Sequence, residues 1–159
     1  MTRANAKTTL RPLNLPTCNA SLNRMEKYQI SEWADNHPRW SEVVGFFKQH
    51  QSGLPHLIDG YDQRDSRILV AYTPRTILGV LRIIVIPIGP EDNLPAVKID
   101  GKELLQAKVK NFFVLSEFRR KRIGMNLQKH AIDLARSLHC RQLVSFSYSH
   151  SRENHELKL

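Results

Sequence analysis

The sequence predicts a mixed α/β domain of the α+β kind, with a central, mostly antiparallel sheet flanked by helices. Three observations carry that reading. Two apolar runs, "SRILVAY" and "TILGVLRIIVI", are rich in β-branched residues and separated by a short polar turn, the pattern of a β-hairpin. "AKVKNFFVL" passes from alternation into an apolar run, "SEFRRKRIG" follows it, and apolar residues then recur at the helical period, giving strand, turn and helix in succession. A length of 159 residues with 41% hydrophobic and 25% charged content suits one domain with a buried core.

Along the chain, residues 1–25 hold Arg3, Lys7, Arg11 and Arg24 but no Asp or Glu. They are read as a basic tail carrying a first strand around Thr8–Leu13 and leading into a single domain over 26–159. An acid-free start is also the pattern of an organelle-import segment, the alternative to a cytoplasmic location. "NHPRWSEVVGFFKQHQSGLP" predicts a helix, with Pro38 in its first turn, Trp40, Val43, Val44 and Phe47 on one face, and Gly53 and Pro55 ending it. The hairpin pairs Arg67–Tyr72 with Thr76–Ile86, and Gly79 within its second strand predicts a bulge or a close backbone approach. "GPEDNLPAVKIDGKEL" reads as a loop or small excursion. From Ala107 the strand becomes more buried along its length, reaching the apolar run Phe112–Leu115. In the next helix Ile123, Leu127, Ala131, Leu134, Ala135 and Leu138 share a face opposite Asn126, Lys129, Asp133 and Arg136. "RQLVSFSYS" is a further strand, and "RENHELKL" begins a last helix.

The net charge of +9 and pI near 9.9 point to anionic ligands: nucleic acid, acidic surfaces or phosphorylated small molecules. The charge is most concentrated at Arg119, Arg120, Lys121 and Arg122, where a helix starts. A helix N-terminus is already positive and rich in unpaired N–H groups, so cations there cost stability unless an anion such as a diphosphate is meant to bind. Gly124 would let it approach closely. Neither a Walker A loop nor a dinucleotide fingerprint is present. Cys18 and Cys140 have neither metal-ligand nor disulfide-framework spacing, which fits reduced thiols and a cytoplasmic location. The seven histidines show no zinc spacing, so no metal is expected. Adjacent His139 and Cys140 point in different directions at a helix exit, and no elbow glycine surrounds Ser149, His150 and Ser151, so neither cluster suggests nucleophilic catalysis. Ile83–Ile88 is too short for a membrane span and is broken by Pro87.

"FVLSEFRRKRIGMNLQKHAIDLA" resembles the acetyl-CoA-binding core of the GNAT superfamily of N-acetyltransferases. Val114 takes the place of the family's strand-end valine, Arg119 that of the leading Arg or Gln, and Gly124 that of the last small residue. Arg122 stands where the first glycine is usual. "SRILVAYTPRTILGVLRI" resembles the family's central hairpin, and "LHCRQLVSFSYSHSREN" its helix exit, following strand and lead-in to the last helix, so that residues 67–154 fit.

The resemblance implies that backbone groups of Phe113, Val114 and Leu115 hold the pantetheine arm of acetyl-CoA. The N–H groups of Arg120, Lys121, Arg122, Ile123, Gly124 and Met125 would cradle its pyrophosphate, and diverging strands at Phe112 and Leu143 would admit the thioester. The implied reaction transfers an acetyl group to a primary amine of a small molecule or peptide, read by the regions around 33–47 and 89–103. The strand offers Lys108, Lys110 and Asn111 where the family often has an acid, and Asp100, Glu103 and Glu117 lie elsewhere. Asn111 and Tyr148 are the candidate catalytic groups. By the family pattern, a tyrosine expected seven residues after Asn154 and the closing strands would fall beyond Leu159, which implies a C-terminally short fold, completed in trans by a homodimer or left inactive. The alternatives are a degenerate, non-catalytic coenzyme A- or partner-binding domain, and a nucleic-acid module using Lys108, Lys110, Arg119–Arg122 and Lys129. The second is disfavoured, because few aromatics interleave with these cations.

Overall fold

The computed structural model describes residues 27–50 and 65–145. Five strands form the main sheet: β1 (Gln29–Trp33), β2 (Asp65–Tyr72), β3 (Ile77–Pro87), β6 (Leu105–Val114) and β7 (Gln142–Ser145), in the spatial order β1-β2-β3-β6-β7. All neighbours are antiparallel except β6 and β7, which run parallel and are joined by helix α2 (Ile123–Ser137). Helix α1 (Trp40–His50) connects β1 towards β2. The expected antiparallel sheet with flanking helices is therefore present. No helix among the described residues is long and apolar enough to cross a membrane.

Alternation along β2 builds two cores. Leu69 and Ala71 face α2, where they meet Leu78, Leu81, Ile83, Ala107 and the α2 residues Ile123, Leu127, Ala131 and Ala135. Ile68 and Val70 face the opposite way, packing with Val80, Ile77, Trp33 and the α1 residues Val43, Phe46 and Phe47. β3 is central and covered on both faces, so Ile77–Ile84 reads as an unbroken buried run. The α2 face follows the expected stripe. The α1 face is corrected: Phe46 is buried with Val43 and Phe47, while Trp40 and Val44 are only half-buried, so the stripe lies one residue round the helix. Arg39 ties the start of α1 to the hairpin. Its guanidinium donates to the Thr73 carbonyl at 3.0 Å and lies 5.5 and 5.8 Å from the ring centres of Trp33 and Tyr72.

Three further differences from the sequence reading have physical causes. β1 lies at Gln29–Trp33, whereas Thr8–Leu13 falls outside the described residues. The excursion after β3 contains a small hairpin, β4 (Lys98–Ile99) with β5 (Lys102–Glu103), turned by Asp100 and Gly101 at φ 50 and 74°. Two successive positive φ values are what an Asp-Gly hairpin turn requires. Finally, β6 is most buried at its start, at Gln106 and Ala107, not at its end. It loses burial because β7 pairs with it only over Gln106–Val109 among the described residues.

The register of β6 also shifts. Arg82 pairs with Asn111 and Ile83 with Val109, leaving Lys110 as a bulge residue. The bulge changes the phase of the side chains. Val109, Phe112 and Val114 pack on the α2 side, while Phe113 and Leu115 turn to the α1 side.

Candidate active site

β6 passes through one 3-10 turn, Ser116–Phe118, before α2 begins at Ile123. Phe118 and Ile123 both pack into the α2-side core, so the chain is anchored on either side of Arg119–Arg122 and the four cations are pushed outward, all exposed. Arg120 and Arg122 hold φ values of 60 and 63°, and Arg122 is the residue that caps α2. It provides no side-chain cap, and no acid lies in the first turn. The first helical bond is Asn126 N–H to the Arg122 carbonyl at 3.0 Å. The N–H groups of Ile123, Gly124 and Met125 precede it and point out of the helix end. A positive helix end flanked by guanidiniums attracts anions, multiply charged ones most strongly.

The residue standing where the family pattern has glycine thus adopts a conformation that glycine takes without strain. Arg122→Gly is expected to stabilise the fold by roughly 1 kcal/mol, the left-handed cost for an L-residue less glycine's entropy. Thermal unfolding should show a melting temperature higher by about 2–4 °C. A lower value would mean that the Arg122 side chain holds the turn together.

Among the described residues, no strand pairs with the end of β6 on the side away from β3. Leu115 N–H donates to the Leu78 carbonyl at 2.9 Å, so its peptide group faces β3, and by strand alternation so does that of Phe113. Val114 faces the other way, and its carbonyl accepts from Arg119 Nε at 3.1 Å. Of the three backbone positions expected to hold an arm, Val114 is the one aimed at the edge away from β3. Leu143 lies in β7 opposite Ala107. The stretch in which the two strands were expected to diverge continues past Ser145, outside the described residues.

On the α1 face a cleft of about 580 Å³ lies against this strand end, between Gly45, Phe46, Gln49 and His50 of α1 and Phe113, Leu115 and Glu117 beyond. His50 was not singled out in the sequence. Its ring stacks on Phe113 at 5.0 Å and 19°, and lies 4.8 Å from Phe46. No local signal marks it, because the contact depends on α1 crossing the end of β6. Two carboxylates line the cleft. Glu42 is gripped by Arg39 through two contacts of 2.7 and 2.8 Å, which hold its carboxyl below the usual carboxylate range. Glu117 is exposed and accepts from Ser116 Oγ at 3.2 Å.

Of the candidate catalytic groups, Asn111 is half-buried with its Oδ1 3.5 Å from Arg82, a buried guanidinium that also donates to Ser66 Oγ at 2.8 Å. Tyr148 and Asn154 lie outside the described residues. Lys108 and Lys110 both pair with Glu91, and Lys108 keeps only 16% of its side chain exposed. They do not extend the basic face of Arg119–Arg122. Among the described residues no group of three or more His, Cys, Asp or Glu could hold a metal ion.

The fold thus joins a five-stranded, mostly antiparallel sheet, through one basic turn, to a helix whose N-terminus has no side-chain cap. The chain belongs to the acetyltransferase (GNAT) family, whose sequence model matches residues 28–156. No curated protein matches. Solved structures share the fold. An aminoglycoside acetyltransferase from an uncultured soil metagenomic sample, solved with trehalose and with sisomicin, superposes at TM-scores of 0.63 and 0.61, each with 16% identity over 82% of this chain and 84% of that one. The aminoglycoside acetyltransferase AAC(6')-Iy, solved with a bisubstrate analogue of coenzyme A and acetylneamine, gives 0.63 with 17% identity over 83% and 87%. Glucosamine-6-phosphate N-acetyltransferase from Arabidopsis thaliana gives 0.57 with 15% identity over 84% and 92%.

Proposed function

We propose that this protein transfers an acetyl group from acetyl-CoA to a primary amine of a small-molecule or peptide acceptor. The observation that carries the proposal is the Val114 backbone, turned away from β3, running directly into the uncapped N-terminus of α2 among Arg119–Arg122. The first can hydrogen-bond an extended amide-bearing arm, and the second can bind a diphosphate, in the order in which coenzyme A presents them. Family membership and the coenzyme A complex of a structural neighbour support the same reading. Within the chain the work is positional: the strand edge fixes the arm, the helix end fixes the phosphates, and the cleft beneath α1 receives the amine. Lys108 and Lys110, tied to Glu91, give little support to the nucleic-acid alternative.

Calorimetric titration with acetyl-CoA tests the donor half. Thiol release with sisomicin, glucosamine 6-phosphate and a peptide with a free N-terminus then tests the acceptor half. Saturable binding and an amine-dependent rise in thiol are expected. Binding without transfer to any acceptor would favour the non-catalytic domain, and no heat with acetyl-CoA would overturn the proposal.

A further inference from the structure

The geometry points to His50 as the group that takes the proton from the acceptor's ammonium, an inference that rests on the transferase reading. An amine at neutral pH is largely protonated, and its lone pair must be freed before it can attack a thioester. The exposed end of β6 carries no acid: from Lys110 to Leu115 it offers a lysine, an asparagine and apolar residues. Of the cleft's carboxylates, Glu42 is committed to Arg39, whose two hydrogen bonds make it a poorer proton acceptor. Glu117 stands exposed at the rim. His50 is different. It is half-buried, it lines the cleft, and it is stacked flat on Phe113, immediately before the residue whose backbone faces away from β3. The stack on Phe113 and the contact with Phe46 restrict the ring plane while leaving its two nitrogens at the ring perimeter. An imidazole is also the side chain suited to exchanging a proton between about pH 5 and 8.

Among the described residues, the charges that share the cleft are Glu42 from α1 and Glu117 and Arg119 from the turn after β6, while Thr76, just before β3, and Ile77, at its start, are neutral. In the step, R–NH₃⁺ gives one proton to the His50 imidazole. The freed nitrogen forms a bond to the thioester carbonyl carbon and the C–S bond breaks. A second proton from nitrogen ends on the departing thiolate, the third stays on the amide, and the imidazolium releases its proton to solvent. The balance is one ammonium and one thioester to one amide, one thiol and one proton.

The test compares wild type with His50→Gln and His50→Phe, the second of which preserves the aromatic stack. Acetyl-CoA affinity, read by calorimetry, should stay within about two-fold in both, while kcat/KM for the panel amine that wild type uses falls ~100-fold, the typical worth of a positioned base. The pH profile of kcat/KM should change shape in both variants, its acidic side then following only the acceptor amine's own deprotonation. If His50→Phe keeps wild-type turnover and the same acidic limb, His50 only packs, and the inference falls while the transferase reading stands. If wild type itself fails to bind acetyl-CoA or to acetylate any amine, the transferase reading falls and this inference falls with it.

Discussion

Gly79→Ala is expected to destabilise the protein by about 1–3 kcal/mol, the usual cost of forcing a methyl into a closed space. A Cβ on Gly79 would sit 2.8 Å from the Phe113 carbonyl oxygen, 3.1 Å from Val114 Cγ2 and 3.3 Å from Val114 Cα. The nearest atom is backbone in the strand next door, so no rotamer change relieves the contact. Against this stands the reduced unfolded-state entropy of alanine, worth about 0.4–1 kcal/mol, which is the smaller effect. The melting temperature should fall by roughly 2–10 °C, and Gly79→Val should fall further. The consequence is not confined to stability. The clash pushes on Phe113 and Val114, the first of which supports His50 and the second of which turns its backbone away from β3. Acetyl-CoA affinity measured below the melting range should weaken together with the loss of stability. A Gly79→Ala protein that melts with wild type would show that β6 yields freely at this point, and the view of its end as a rigid platform would fail.

The Gly79 contact shows what a sequence can signal and where it stops. A glycine inside a strand of Ile, Val and Leu announces a close approach, and the hairpin itself was legible, but the atom approached lies in β6. α2 was legible as an element, because an amphipathic stripe from Ile123 to Leu138 needs no distant partner to be recognised. β1 was missed. "QISEW" carries strand character only in Ile30 and Trp33, and pairing with β2 decides its conformation. The α1 stripe was misplaced by one residue because Phe46 and Phe47 are adjacent and only the shape of the opposing face selects both. The burial of β6 was reversed for a similar reason. Its apolar end reads as core, whereas Phe112, Phe113 and Val114 are only half-buried in the fold. The Lys110 bulge compounds this, since period-two reasoning assumes a regular ladder. Of the candidate site, the place of the basic turn between strand and helix was legible. The left-handed conformations at Arg120 and Arg122 and the recruitment of His50 were not, because they arise from anchoring at Phe118 and Ile123 and from the packing of α1 across Phe113.

Replacing Arg120 and Arg122 together by glutamate should separate folding from binding more sharply than any other change. For the fold, the substitution is favourable. Acids in place of cations at the start of α2 complement its positive end, each worth about 0.3–1 kcal/mol, and the left-handed backbone at both positions is kept by either residue type. The double variant should therefore remain folded at the temperature of the binding assay, which circular dichroism checks. For a diphosphate at the same helix end the effect is opposite. Two charge-assisted contacts, each worth about 1.5–3 kcal/mol, are replaced by repulsion, so acetyl-CoA affinity should fall at least ~100-fold. Raised salt should narrow the gap between the two proteins, because it screens attraction in one and repulsion in the other. Lys129→Glu provides the comparison: this exposed cation lies further along α2, beyond the first turn over which the helix end acts, and its reversal should leave acetyl-CoA affinity unchanged. If the double variant binds acetyl-CoA as wild type does while remaining folded, then the cluster of four cations at the head of α2 is merely a solvated turn. The diphosphate would have to be held by other groups, and the argument from an unfavourable concentration of charge to an anionic ligand would lose its footing.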